Sequence, residues 1–294
     1  MLLPVMKHLF FSIFLLFAVL SSVAADRSKA ILMVHFGTTF ADTRALTIDA
    51  INQKAREAFP DADVAEAYTS RIVIRKLHDQ GIDKDTPQRA LLRLAAAGYD
   101  TVIVQSTNII DGIEASALRE EVEYMAPFFK DIRIGRPLLY SIADCQSVVD
   151  ILVRQYPAHP DRAYIFVGHG TSTPANAIYS QVDYMMDVAG RPDCTVCTVE
   201  GYPDLDLSMR YLAQLKVTDV TLVPFMFVAG DHARNDIAGD MRRKLIDGGY
   251  NADAVITGLG QMPEIQNIFI DHIRQAMLDK PLSPSEIKRK AIAQ

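Results

Sequence analysis

The sequence predicts an α/β protein built as two similar lobes, each a parallel β-sheet flanked by helices, with the functional site in the cleft between them. Three observations predict it. Short β-branched runs alternate with amphipathic helical stretches, the pattern of a parallel sheet with crossover helices. Motifs of the first half recur in the same order in the second. The stretch "YPAHPDR" at 156–162, with two prolines, breaks the chain between them. At 294 residues and 49% hydrophobic, the chain is long enough to bury a full core.

In chain order, residues 1–25 read as a secretory signal peptide. Lys7 precedes the apolar run "LFFSIFLLFAVL", too short to span a bilayer comfortably, and "SSVAAD" supplies small residues for cleavage near Ala25. The expected location is therefore periplasmic. Residues 26–155 form the N-terminal lobe, with strands at "AILMVHF", "DVAEAY", "DTVIVQS" and "IRIG". Its helices include "DTRALTIDAINQKAREAF", "TPQRALLRLAAAG" and "DCQSVVDILVRQY". Residues 156–280 form the C-terminal lobe, with strands at "AYIFVGH", "CTVCTVE", "DVTLVPFMF" and "DAVITG" and a helix at "RNDIAGDMRRKLIDGG". Residues 281–294 are a polar tail.

The repeat is explicit. "ILMVHFGTT" at 31–39 parallels "YIFVGHGTS" at 164–172, and "VIVQSTNIIDGIEA" at 102–115 parallels "TLVPFMFVAGDHA" at 221–233. "EAYTS" from Glu66 parallels "EGYPD" from Glu200. In a parallel sheet the loops at the carboxyl ends of the strands converge, so polar residues there share a cleft. In the second copy these are His169, Glu200 and His232, two imidazoles and a carboxylate, a donor set suited to a divalent first-row metal with a position left open. Asp236, one turn beyond His232, is placed to orient its ring. In the first copy Phe36 stands for His169 and Glu114 for His232, while Glu66 is expected to match Glu200. Glu114 is either a base or metal contact facing the cleft or simply the start of a helix. His35, one residue out of register with His169, is expected to point into the sheet.

Composition narrows the partners. Lys plus Arg number 30 against 36 Asp plus Glu, with no basic block to track a phosphate backbone, which argues against nucleic acid. No GxxxxGK[ST] phosphate-binding loop occurs. Cys145, Cys194 and Cys197 are too few for a disulfide scaffold, and residues three apart in the strand "CTVCTV" face opposite ways, so Cys194 and Cys197 read as structural. The pattern also allows a homo-oligomer.

"VGHGTSTPAN", "TVEGYPD" and "VPFMFVAGDHARNDIAGD", in this order and spacing, resemble the anaerobic cobaltochelatases that metallate sirohydrochlorin, class II chelatases related to ferrochelatase. The likeness runs over roughly 28 to 278. It implies a chelatase-like fold that inserts Co(II) into a tetrapyrrole without ATP, the metal being a substrate. By the resemblance, His169 binds metal and takes up pyrrole protons, Glu200 and His232 complete the metal ligands, and Glu114 is an acidic residue on the opposite wall. Gly168 and Gly170 are expected to let a flat macrocycle approach the backbone. Arg44, Arg71, Arg119 and Arg234 are candidates to pair with its carboxylates or are ordinary surface arginines. Some exported relatives bind haem through a histidine, but Asn108 stands where the family often carries one, which disfavours haem. The alternatives are a periplasmic tetrapyrrole- or metal-binding chaperone without turnover, a chelatase for Fe(II), or a redox protein using Cys194 and Cys197.

Overall fold

The computed structural model describes residues 29–282; the expected signal peptide and most of the polar tail lie outside the described residues. The N-terminal sheet comprises β1 (Lys29–His35), β2 (Asp63–Tyr68), β3 (Thr101–Ser106) and β4 (Asp131–Ile134), all parallel in the order β2-β1-β3-β4. The C-terminal sheet repeats this with β5 (Arg162–Gly168), β6 (Cys194–Thr198), β7 (Asp219–Pro224) and β8 (Asn251–Ala254) in the order β6-β5-β7-β8. Each sheet reverses its strand order at the β1/β3 or β5/β7 pair, the place where open α/β sheets bind ligands.

β8 begins and ends earlier than the sequence pattern "DAVITG" predicts. Its pairing follows β7 only to Ala254 and the Val255 N–H, after which the chain turns to pack Gly258 against the backbone of residues 227–229.

The helices are α1 (residues 41–58, with a π-helical turn Ala45–Asp49), α2 (Arg71–His78), α3 (Pro87–Ala96), α4 (Ile113–Met125), α5 (Ile142–Gln155), α6 (Ala177–Val188), α7 (Leu205–Leu215), α8 (π-helical Ala233–Met241 continued by Arg242–Asp247) and α9 (Pro263–Ala276). Their starts follow from local chemistry. Ser70 and Asp204 accept N-terminal amide bonds of α2 and α7, Thr86 precedes Pro87 at α3, and Ser141 with Asp144 forms a capping box on α5.

Period-two alternation sends each strand's side chains to two different cores. Leu32, Val34, Val102 and Val104 pack beneath α3 and α4; Ile165, Val167, Cys197 and Leu222 pack beneath α7 and α8. The opposite faces, with Ile31, Met33, Phe166 and Cys194, meet in one continuous core with α1, α5, α6 and α9. The two lobes are thus joined by apolar packing, which holds the cleft walls in fixed relation. α9 contributes most to the join: Ile265, Phe269 and Ile273 enter that core, and buried His272 bonds Asp144 and the Arg136 carbonyl, each at 3.2 Å.

The strand reading of the cysteines explains their inertness. Cys194 and Cys197 lie on opposite faces, both unpaired, and burial pushes both thiols up to about 12. Neither supplies a thiolate near neutral pH.

Candidate active site

A cavity of about 480 Å³ opens between the lobes at the carboxyl ends of the strands. The C-terminal wall carries His169, Glu200 and His232; the N-terminal wall carries Phe36, Ser70 and Glu114.

His169 follows β5 directly and His232 enters α8 after β7, so the two imidazoles straddle the β5/β7 switch point. Their rings meet edge to face with centroids 4.7 Å apart. The His232 Nδ1 lies 2.6 Å from Asp236 Oδ2, one turn on. A carboxylate accepts only, so Nδ1 carries the proton and Nε2 is left with its lone pair for a metal. Glu200 is tied to the same turn through the backbone, its N–H donating to the His169 carbonyl at 2.9 Å. Among the described residues no three His, Cys, Asp or Glu side chains converge closely enough to hold a metal ion. The histidine pair is assembled, and Glu200 lines the same cleft without closing a cage around it.

The turn holding His169 is built by residues the sequence reading left unassigned. Asn176 accepts the Thr171 N–H at 2.9 Å and donates to the Tyr202 carbonyl, clamping the 169–172 turn to the 200–202 loop. Tyr179, buried, fills the space beside Gly168. Gly170 has φ +90°, and a Cβ there would overlap the Glu200 carbonyl oxygen. In the direction a side chain would take, the space at both glycines is occupied by the protein itself, so their lack of a side chain lets neighbouring turns pack, while Gly170 also lines the cleft.

The two copies superimpose residue by residue through their backbone bonds. Val199 and Glu200 donate to Gly168 and His169 as Thr69 and Ser70 donate to His35 and Phe36. Phe36 is the counterpart of His169, and Gly112 and Gly230 bring Glu114 and His232 into register. The counterpart of Glu200 is Ser70, and Glu66, paired with Met33 inside β2, corresponds to Val196. The expected match of Glu66 with Glu200 is thus overturned. It followed the similar tripeptides EAY and EGY, which sit at different distances from their strand ends.

Glu114 stands in the first turn of α4, on the cleft, and its Oε2 accepts from the Thr69 hydroxyl at 3.2 Å. It starts a helix and its position lies on the cleft. None of the four candidate arginines lines the cavity. Arg119 pairs with Asp111 at 2.7 Å, Arg44 faces Asp49 at 3.9 Å, and Arg234 stacks over Phe40 at 4.3 Å.

His35 is buried, bonded on both ring nitrogens, and held at about 4, against an ordinary 6.5, chiefly because burial penalises its charged form. Below about 6.5 the unfolded chain takes up this proton and the folded chain does not. Stability is therefore full above that pH and falls progressively toward pH 4, by up to roughly 3 kcal/mol. Urea unfolding at pH 7 and pH 4.5 is expected to show the loss, and His35→Gln is expected to reduce it.

A family model described as "Cobalt chelatase (CbiK)" matches residues 29–278. The chain is 40% identical over 255 residues to the sirohydrochlorin cobaltochelatase of Salmonella typhimurium, covering 85% of this chain and 96% of that protein. It is 31% identical over 257 residues to the sirohydrochlorin cobaltochelatase CbiKC of Nitratidesulfovibrio vulgaris, covering 85% and 90%. Among solved structures it is similar to SirB from Bacillus subtilis with Fe3+, at a TM-score of 0.63 and 13% identity over 87% of this chain and 100% of that one, a likeness of fold. The chain belongs to the CbiK cobalt chelatase family.

Proposed function

We propose that the chain inserts Co(II) into sirohydrochlorin without a nucleotide. Family membership and the names of the two relatives support the metal and the tetrapyrrole. The observation that carries the reading is the His169–His232 pair at the switch point of one wall, facing Glu114 on the other.

Metallation breaks two pyrrole N–H bonds, releases two protons and forms bonds from the ring nitrogens to the metal, with no change of oxidation state. The site must hold Co(II) loosely and accept protons in turn. His169 does both, exposed at the cleft and free to exchange with solvent. His232, its tautomer set by Asp236, and Glu200 are the remaining metal ligands. Glu114, across the cleft, is the second proton acceptor. An uncaged site suits an ion that must be handed on; a capture protein would close the sphere.

The test is turnover: purified protein with sirohydrochlorin and Co(II) is expected to convert many equivalents per chain. Conversion that stops at one equivalent would make the protein a carrier.

Export to the periplasm is part of the same proposal, resting on residues 1–25. The intact mass of the soluble periplasmic form is expected to begin at Asp26, and a mass retaining Met1 there would count against it.

A further inference from the structure

The N-terminal wall contains a buried polar chain that the proposed chemistry has not used. Thr107 Oγ1 lies 3.0 Å from His35 Nδ1, and His35 Nε2 lies 3.0 Å from Asn52 Oδ1. Asn52 Nδ2 donates to Glu66 Oε2 at 2.6 Å, and Lys84 Nζ donates to Glu66 Oε1 at 2.5 Å. Thr107 and His35 both line the cleft.

The direction of every hydrogen follows from one end. Glu66, as a carboxylate paired with Lys84, only accepts, so Asn52 must turn its amide nitrogen toward it and its oxygen toward His35. His35 therefore donates from Nε2, leaving Nδ1 bare, and burial keeps the ring neutral. A bare Nδ1 accepts, so the Thr107 hydroxyl donates to it at 3.0 Å in preference to the Val34 carbonyl at 3.5 Å. All donors point one way, Thr107 to His35 to Asn52 to Glu66, an arrangement in which each bond polarises the next. Thr107 lines the cleft, and with its hydrogen committed to His35 its oxygen keeps lone pairs with which to accept.

The second copy of the fold supplies the control. At the positions equivalent to His35, Glu66 and Thr107 it carries Gly168, Val196 and Phe225. The same sheet thus forms without the chain. Burying histidine, asparagine and glutamate costs more than burying apolar residues, and the expense falls only on the wall where the polar chain ends at the cleft.

We propose that Lys84, Glu66, Asn52 and His35 are positioning residues for the reaction, fixing the Thr107 oxygen as a hydrogen-bond acceptor for pyrrole N–H groups of the bound macrocycle. This rests on the tetrapyrrole reading above.

Two measurements test it. In the full chain, Thr107→Val is expected to keep Co(II) affinity, to lower the melting temperature because buried His35 Nδ1 loses its donor, and to lower kcat for insertion about tenfold, the weight of one hydrogen bond; Thr107→Ser is expected to restore both. Independently of activity, nitrogen NMR of the His35 ring is expected to show the neutral Nε2–H tautomer at neutral pH, with the tautomers mixed in Glu66→Gln. A Thr107→Val protein that turns over at the wild-type rate, or a wild-type His35 protonated at Nδ1, would overturn the inference. If Thr107→Val does not fold, the wild-type tautomer decides. A wild type that binds both substrates yet never turns over would instead refute the chelatase reading, and the tautomer would still report the chain's polarity.

Discussion

His169→Ala is expected to abolish Co(II) insertion, and raising Co(II) is expected not to bring it back. Two losses combine in this one residue. As a ligand, the imidazole contributes metal occupancy, which excess metal restores by mass action. As the proton acceptor at the exposed end of β5, it contributes a step that metal cannot replace, worth roughly 100- to 10,000-fold in rate. His232→Ala provides the comparison. It removes a ligand whose ring is already committed through Nδ1 to Asp236, so much of its deficit should yield to added Co(II). Steady-state rates at saturating sirohydrochlorin over a Co(II) series separate the two. If His169→Ala climbs to the wild-type rate at high Co(II), the residue is a ligand alone and Glu114 becomes the first acceptor to examine.

Why His169 was legible in the sequence and its supporting turn was not has a physical basis. An apolar strand ending in Gly-His-Gly announces an exposed side chain, because the continuous burial of β5 stops at Gly168 and the loop must lie at the sheet's carboxyl edge. The repeat placed Phe36 opposite His169 and Glu114 opposite His232 because Gly112 and Gly230 anchor both loops before a helix. It misplaced Glu66, since local similarity of EAY and EGY carries no information about where each strand ends. Register decides that, and register is a tertiary property: Met33 pairs with Glu66 while Phe166 pairs with Val196. Asn176 sat inside a recognisable motif, yet its two bonds reach Thr171 and the Tyr202 carbonyl, a join the chain makes only on folding. The amphipathic pattern of α9 likewise shows that a face is buried and leaves open that it is buried against both lobes.

The role of Gly170 was the least legible, and its substitution has the second large expected effect. A glycine beside a ligand invites the reading that it makes room for the ligand, and on that reading Gly170→Val would weaken tetrapyrrole binding and spare the metal. The structure predicts otherwise. At φ +90° with the Glu200 carbonyl lying where a Cβ would be, any side chain must push the 168–170 turn away from the 198–200 turn. Those turns are zipped by the bonds from Val199 to Gly168 and from Glu200 to His169, both 2.9 Å, so separating them moves His169 and Glu200 together. Gly170→Val should therefore lose Co(II) affinity and insertion alike. Gly190→Ala separates backbone strain from this overlap, because Gly190 has φ +73° and open space around its Cβ position, and it should cost only about 1–2 kcal/mol of stability with the site intact. Co(II) titration of the two variants beside wild type is the measurement. A Gly170→Val protein that binds Co(II) normally and fails only with the macrocycle would return the glycine to the role of making room, and would mean that the Glu200 turn yields without carrying His169 along.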